Sequence, residues 1–170
     1  ILQASAKRLY DFDNAGDIEI LKQIGLSSFY LGDYDDCIER FRGYLKQVQE
    51  IGDLPKQEVL GYCWMTDCYI EKKEYFSAYL GVERIKELCG MYNLNDSYTL
   101  LLSKYVEAHL KVQTEPKNAI TLITDLSIDG IKDSLEGYKL VIAIYKLWGT
   151  CAMQLSAYPL ATDMYQRSIS

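Results

Sequence analysis

LGDYDDCIERF, residues 31–41, decides the fold. Gly32 suits a tight turn, Asp33 can cap a following helix by accepting from its free amides, and Tyr34 can pack the corner between two helices. Behind them Cys37, Ile38 and Phe41 fall at helical spacing. A side chain as small as Cys37 lets a neighbouring helix come close.

The same arrangement returns along the chain. An aromatic or proline, two residues, then a small residue followed by another side chain recurs as Tyr34 with Cys37-Ile38, Tyr75 with Ala78-Tyr79, Pro116 with Ala119-Ile120, and Tyr158 with Ala161-Thr162. The small anchors Cys37, Ala78, Ala119 and Ala161 stand 41, 41 and 42 residues apart. A fixed period of this order marks a stacked array of one supersecondary unit. Thirteen residues before each anchor come Ile24, Met65, Val106 and Trp148, followed by Gly25, Thr66, Glu107 and Gly149. Four residues after come Phe41, Val82, Ile123 and Tyr165; seven after, Tyr44, Ile85, Leu126 and Ser168. Each unit therefore reads as a helix, a short turn and a second helix.

The spacing predicts first helices at about 17–31, 57–72, 97–112 and 136–154, and second helices at about 34–51, 75–90, 116–126 and 158–169. Turn and capping residues join the units: Gly52, Asp53 and Pro55 after the first, Gly90, Asn93, Asn95 and Asp96 after the second. The predicted repeats are 17–56, 57–96, 97–135 and 136–170 of a single domain over 1–170. Residues 1–12 have a helical period of their own and read as the end of a preceding helix. The chain opens on Ile1 and ends inside an apolar-periodic segment, so a piece of a larger protein is expected.

Composition narrows the function classes. The 170 residues are 49% hydrophobic and 25% charged with three prolines, the profile of an ordered chain able to bury a core. A net charge of −6, with no run of Lys or Arg longer than two, argues against a duplex-binding surface. No apolar stretch approaches the roughly 20 residues of a membrane span. Five cysteines without a Cys-x-x-Cys pair read as thiols used as small hydrophobes in a reducing, intracellular compartment, cytoplasmic or nuclear. His109 is the sole histidine and has no cysteine at ligand spacing, so no metal or other cofactor is expected. His109 also lacks the sequence context of an activated nucleophile or base, and no phosphate-binding glycine loop is present; the expectation is a protein that is not an enzyme.

The units resemble tetratricopeptide repeats. The first carries Ile24-Gly25, Gly32-Asp33-Tyr34 and Phe41; the fourth carries Tyr145, Trp148-Gly149, Tyr158-Pro159, Ala161 and Tyr165. The resemblance covers residues 17–170 but departs in its period, which exceeds the family's usual ~34 residues. It is similar to the longer-repeat members found in spindle-orientation, kinesin-light-chain and bacterial peptide-sensor proteins. Thr66 and Glu107 also replace the small residue of the first helix.

That resemblance implies an all-α, right-handed superhelix of about four antiparallel helix pairs, with a concave face lined by first helices. It implies a groove for a peptide segment of a partner protein. The positions brought to the groove are Lys22, Gln23 and Leu26; Cys63, Trp64 and Asp67; Lys104, Tyr105 and Ala108; and Lys146, Leu147 and Thr150. Lys22, Lys104 and Lys146 suit acidic groups, Trp64 and Tyr105 supply aromatic area, and Gln23 and Asp67 complete the candidate set. The two-carboxylate clamp of some family members needs asparagine one turn after lysine, where this chain has Leu26, Ala108 and Thr150. The expected function is a scaffold within a multiprotein complex. The alternatives are a bacterial-type peptide sensor controlling a linked regulatory domain, and a homo-oligomerisation module using apolar end faces near Leu2, Leu9, Met164 and Tyr165.

Overall fold

The structure is a computed structural model that describes residues 2–170, with side chains from residue 16 onward. Among the described residues it is all-helical. The α-helices are α1 (Leu2–Leu31), α2 (Tyr34–Ile51), α3 (Pro55–Glu71), α4 (Tyr75–Met91), α5 (Ser97–Thr114), α6 (Pro116–Thr124), α7 (Leu135–Gln154) and α8 (Tyr158–Ile169), with a 3-10 turn at Asp129–Ile131 before α7. Helix α1 differs from the expected start near residue 17 by running unbroken from Leu2. The side chains behind the reading of 1–12 as a preceding helix, Leu2 and Leu9 among them, lie outside the described residues.

The helices group into two compact units, Ile1–Tyr92 and Asn93–Ser170. Both follow one neighbour scheme. In the first unit α1 packs on α2, α2 on α3, α3 on α4, and α1 also touches α3; in the second α5, α6, α7 and α8 repeat that order, with α5 touching α7. Polar contacts show the pairing is antiparallel: the start of α2 meets the end of α3 through Asp35 to Lys72, and the end of α2 meets the start of α3 through Gln49 to Glu58.

The four anchors are what the period promised. Cys37, Ala78 and Ala119 are fully buried and Ala161 nearly so. The apolar positions that follow are buried too, Phe41, Val82 and Ile123 four residues on, and Tyr44, Ile85 and Leu126 seven residues on. In the fourth pair the chain tapers, with Tyr165 at 38% exposure and Ser168 in place of an apolar residue. Met164, expected at an exposed end face, is buried.

Close approach explains the small residues in the first helices. A methyl group added at Gly25 would meet the Phe41 ring at 2.8 Å, and one added at Gly149 would meet the Tyr165 ring at 2.8 Å. The two pairs are equivalent positions of the repeat. In the second pair Thr66 fills that place, and the room comes from the other helix: Gly81 of α4 lies so close that a Cβ there would overlap Thr66 Oγ1.

The corner inside each pair is also a repeated device. The residue five before the anchor has positive φ in three of the four pairs, Gly32 (77°), Lys73 (62°) and Ser156 (58°). Each is followed by the same hydrogen bond back across the helix end: Asp33 N–H to Ser28 O, Glu74 N–H to Tyr69 O, and Ala157 N–H to Ala152 O. The third pair departs because Pro116 opens α6 and forces the residue before it out of the helical region. Glu115 makes that corner at φ −141°, and Thr114 stays helical.

A stability contrast follows from this geometry. A left-handed residue with a Cβ costs about 1 kcal/mol, which glycine avoids. Lys73→Gly is expected to stabilise the first unit by about 0.5–1 kcal/mol, net of the entropy glycine adds to the unfolded chain. Thr114→Gly, at the same repeat position but helical, is expected to destabilise by about 0.5 kcal/mol. Urea denaturation of both variants reads the two signs; equal signs would sink the account of the corner.

Candidate functional site

Side-chain caps fix where α2, α5 and α7 begin. Asp33 accepts from the Asp36 amide at 3.1 Å, as its place before α2 requires, while Asp96 caps α5 by accepting from Thr99 N–H at 2.9 Å and Ser134 caps α7 by accepting from Gly137 N–H at 3.0 Å. Ser28 of α1 donates to Asp36 at 2.5 Å and Arg40 bonds the same carboxylate. These bonds hold the Asp36 carboxyl below its ordinary range.

In the first unit α1 carries Lys22 and Gln23, and α3 carries Trp64 and Asp67. Lys22 and Gln23 converge on one carboxylate: Lys22 Nζ sits 3.0 Å from Glu19 Oε2, and Gln23 Nε2 donates to Glu19 Oε1 at 2.8 Å. Burial pushes Glu19 up, but the bonds from Gln23 and Lys22 outweigh it and hold the carboxyl below its usual range. Lys22 is therefore engaged within its own helix, with its side chain only 14% exposed, and Gln23 stays exposed. An acidic residue three positions before Lys22 was legible in the sequence as a partner.

Trp64 is half-buried and meets Phe29 of α1 edge-on, with ring centroids 5.3 Å apart, so one side of the indole belongs to the core of the first unit. Asp67 is buried, at 2% exposure. Of the flanking positions, Leu26 and Cys63 are buried as well. The surface that α1 and α3 offer at these positions is thus Gln23 and part of the Trp64 ring.

In the second unit α5 carries Lys104 and Tyr105, and α7 carries Lys146. Both lysines are exposed. Tyr105 is half-buried, tilted against His109 at 5.8 Å between ring centroids, and packed on the cluster of Ala108, Val112, Ala119, Ile123, Leu147 and Cys151. Thr150 is half-buried, bonding Lys146 O at 3.0 Å and lying 3.1 Å from the Tyr165 hydroxyl. The two exposed ammonium groups can each receive a carboxylate, and the half-buried tyrosine offers apolar area.

One polar group of the first unit had no sequence signal. Glu58, at the first turn of α3, is buried and accepts from the Tyr92 hydroxyl at 2.8 Å, with Arg84 at 3.9 Å and Gln49 at 3.5 Å. It ties α2, α3 and the end of α4 together, and that carboxylate raises the Tyr92 hydroxyl above its usual range. Among the described residues no group of three or more His, Cys, Asp or Glu is placed to hold a metal ion. Among them, too, no helix is long and apolar enough to cross a membrane.

The chain matches no family model, no curated protein and no solved structure. The class that its own geometry defines is an all-α protein of consecutively packed antiparallel helix pairs.

Proposed function

We propose that this chain is a non-catalytic interaction scaffold of the tetratricopeptide kind, its helix pairs stacked as a right-handed superhelix, which takes a peptide segment of a partner protein against its first helices. The observation that carries the reading is one packing rule repeated in every pair: a buried small anchor in the second helix and a fixed period of 41 to 42 residues. Such arrays leave one side of each first helix uncovered and use it for binding. The reading assigns to that side Lys104, Lys146 and Tyr105 in the second unit, and Gln23 with Trp64 in the first; the exposure of Lys104, Lys146 and Gln23 and the partial exposure of the two rings support it. The partner segment is acidic with at least one large apolar residue, because ammonium groups select by charge and steer encounter while aromatic area supplies affinity. The setting is a multiprotein complex of the cytoplasm or nucleus.

The test uses arrayed peptides of graded acidity, probed with the wild type and with Lys104→Glu/Lys146→Glu. Both substituted positions are exposed, so melting is expected to stay within about 2 °C of wild type. Wild type is expected to select acidic, aromatic-containing peptides, and the double variant to lose at least tenfold in affinity, with the wild-type affinity falling as salt is raised. Unchanged selection by a variant of equal melting temperature would remove the first helices of the second unit from the binding surface.

A further inference from the structure

Four of the five cysteines are fully buried or nearly so, and two of them meet. Cys68 Sγ of α3 lies 3.0 Å from Cys37 Sγ of α2, both at 0% exposure, and all five cysteines are thiols in this structure. Cys37 is the anchor of the first pair, the place taken by alanine in the other three. The same junction recurs inside the second unit, where α6 packs on α7 as α2 packs on α3. In the second unit the corresponding residues are Ala119 and Cys151, which share one core cluster. There the anchor has no sulfur, and Cys151 instead lies 3.3 Å from the Pro116 carbonyl. Only the first pair places sulfur on both sides of that junction.

From this juxtaposition we infer that Cys37 and Cys68 form a reversible disulfide that locks α2 to α3, making the junction between the first two pairs a redox-sensitive brace. A disulfide needs the sulfurs at about 2.05 Å, so the pair must close by about 1 Å, within the give of two neighbouring helices. The oxidant is a small-molecule disulfide such as oxidised glutathione. One cysteine thiolate attacks its S–S bond and expels one thiolate; the second cysteine, its proton lost to solvent, attacks the protein sulfur of the mixed disulfide and expels the other. Two protein thiols are oxidised by two electrons, one S–S bond is broken and one formed, and two molecules of reduced thiol leave with the two protons.

Burial sets the rate. The hydrogen bond to Cys37 and then burial push the Cys68 thiol up, so thiolate is scarce until the junction opens. The brace therefore responds to sustained oxidation, and faster when local opening is promoted.

The experiment treats the full chain with oxidised glutathione, with and without about 1 M urea to promote opening, and then titrates thiols in denaturant and maps cross-linked peptides by mass spectrometry. The expected result is loss of two of the five thiols, a peptide pair joining Cys37 to Cys68, and a melting temperature raised by about 5–10 °C that dithiothreitol reverses. Cys37→Ala, which installs the anchor residue of the other pairs, is expected to fold and to lose the cross-link. The triple variant Cys63→Ala/Cys89→Ala/Cys151→Ala is expected to keep it. Five free thiols after treatment in urea, a glutathione adduct that never closes, or a cross-link through any other cysteine would each overturn the inference.

Discussion

Phe41→Ala is expected to destabilise the first unit by about 3–5 kcal/mol, the largest single-site effect in the chain. Phe41 is fully buried, stacks edge-on with Tyr44 at 5.7 Å between centroids, and fills the space that Gly25 leaves on α1. Removing the ring exposes a cavity on a helix that is already at its closest approach, so collapse to fill it is limited. The equivalent Tyr165→Ala in the fourth pair is expected to cost only about 1–2 kcal/mol, because its ring is 38% exposed. The two tryptophans divide the readout. Trp64 lies in the first unit and Trp148 in the second, so the single-tryptophan variants Trp148→Phe and Trp64→Phe follow each unit in urea by fluorescence. A cost for Phe41→Ala below about 1 kcal/mol would remove this ring from the centre of the repeat core.

Gly81→Ala is expected to cost about 2–3 kcal/mol, more than an exposed helical glycine-to-alanine change, which normally stabilises. The added methyl group overlaps Thr66 Oγ1 across the α3–α4 contact. Thr66 is fully buried and its hydroxyl makes no hydrogen bond, so little holds it in place except packing. Thr66→Ala/Gly81→Ala is therefore expected to recover to within about 1 kcal/mol of wild type, a coupling of about 2 kcal/mol in a double-mutant cycle. Additive costs would mean that the small residue has not been exchanged between the two helices of this pair.

That exchange shows where linear reading stops. Thr66 departs from the small residue of the repeat, and along the sequence the departure looks like a weakened unit. Its compensation, Gly81, stands on another helix, and nothing in a sequence says which glycine of α4 turns toward α3. Lys22 was open to reading, since Glu19 stands three residues before it on one helical face. Asp67 and Trp64 were not, because a helix that packs on two neighbours has fewer free sides than its periodicity suggests. Trp64 turns one edge to Phe29, and Asp67 is buried.

The sequence by itself determined the number, order and approximate limits of the helices after the first, because these depend on local physics: apolar spacing, capping by Asp33 and Asp96, and residues suited to tight corners. It also determined the anchors, since a period of 41 to 42 residues carries one buried small residue through four pairs. Only the tertiary structure decided that α1 runs unbroken from Leu2, that Thr66 and Gly81 exchange volume, that Glu58 collects Tyr92 and Arg84, and that Cys37 meets Cys68. Except for the run of α1, these are contacts between residues far apart in the chain, brought together by helix packing. They are set by helix rotation and close packing, which no local pattern in the chain records.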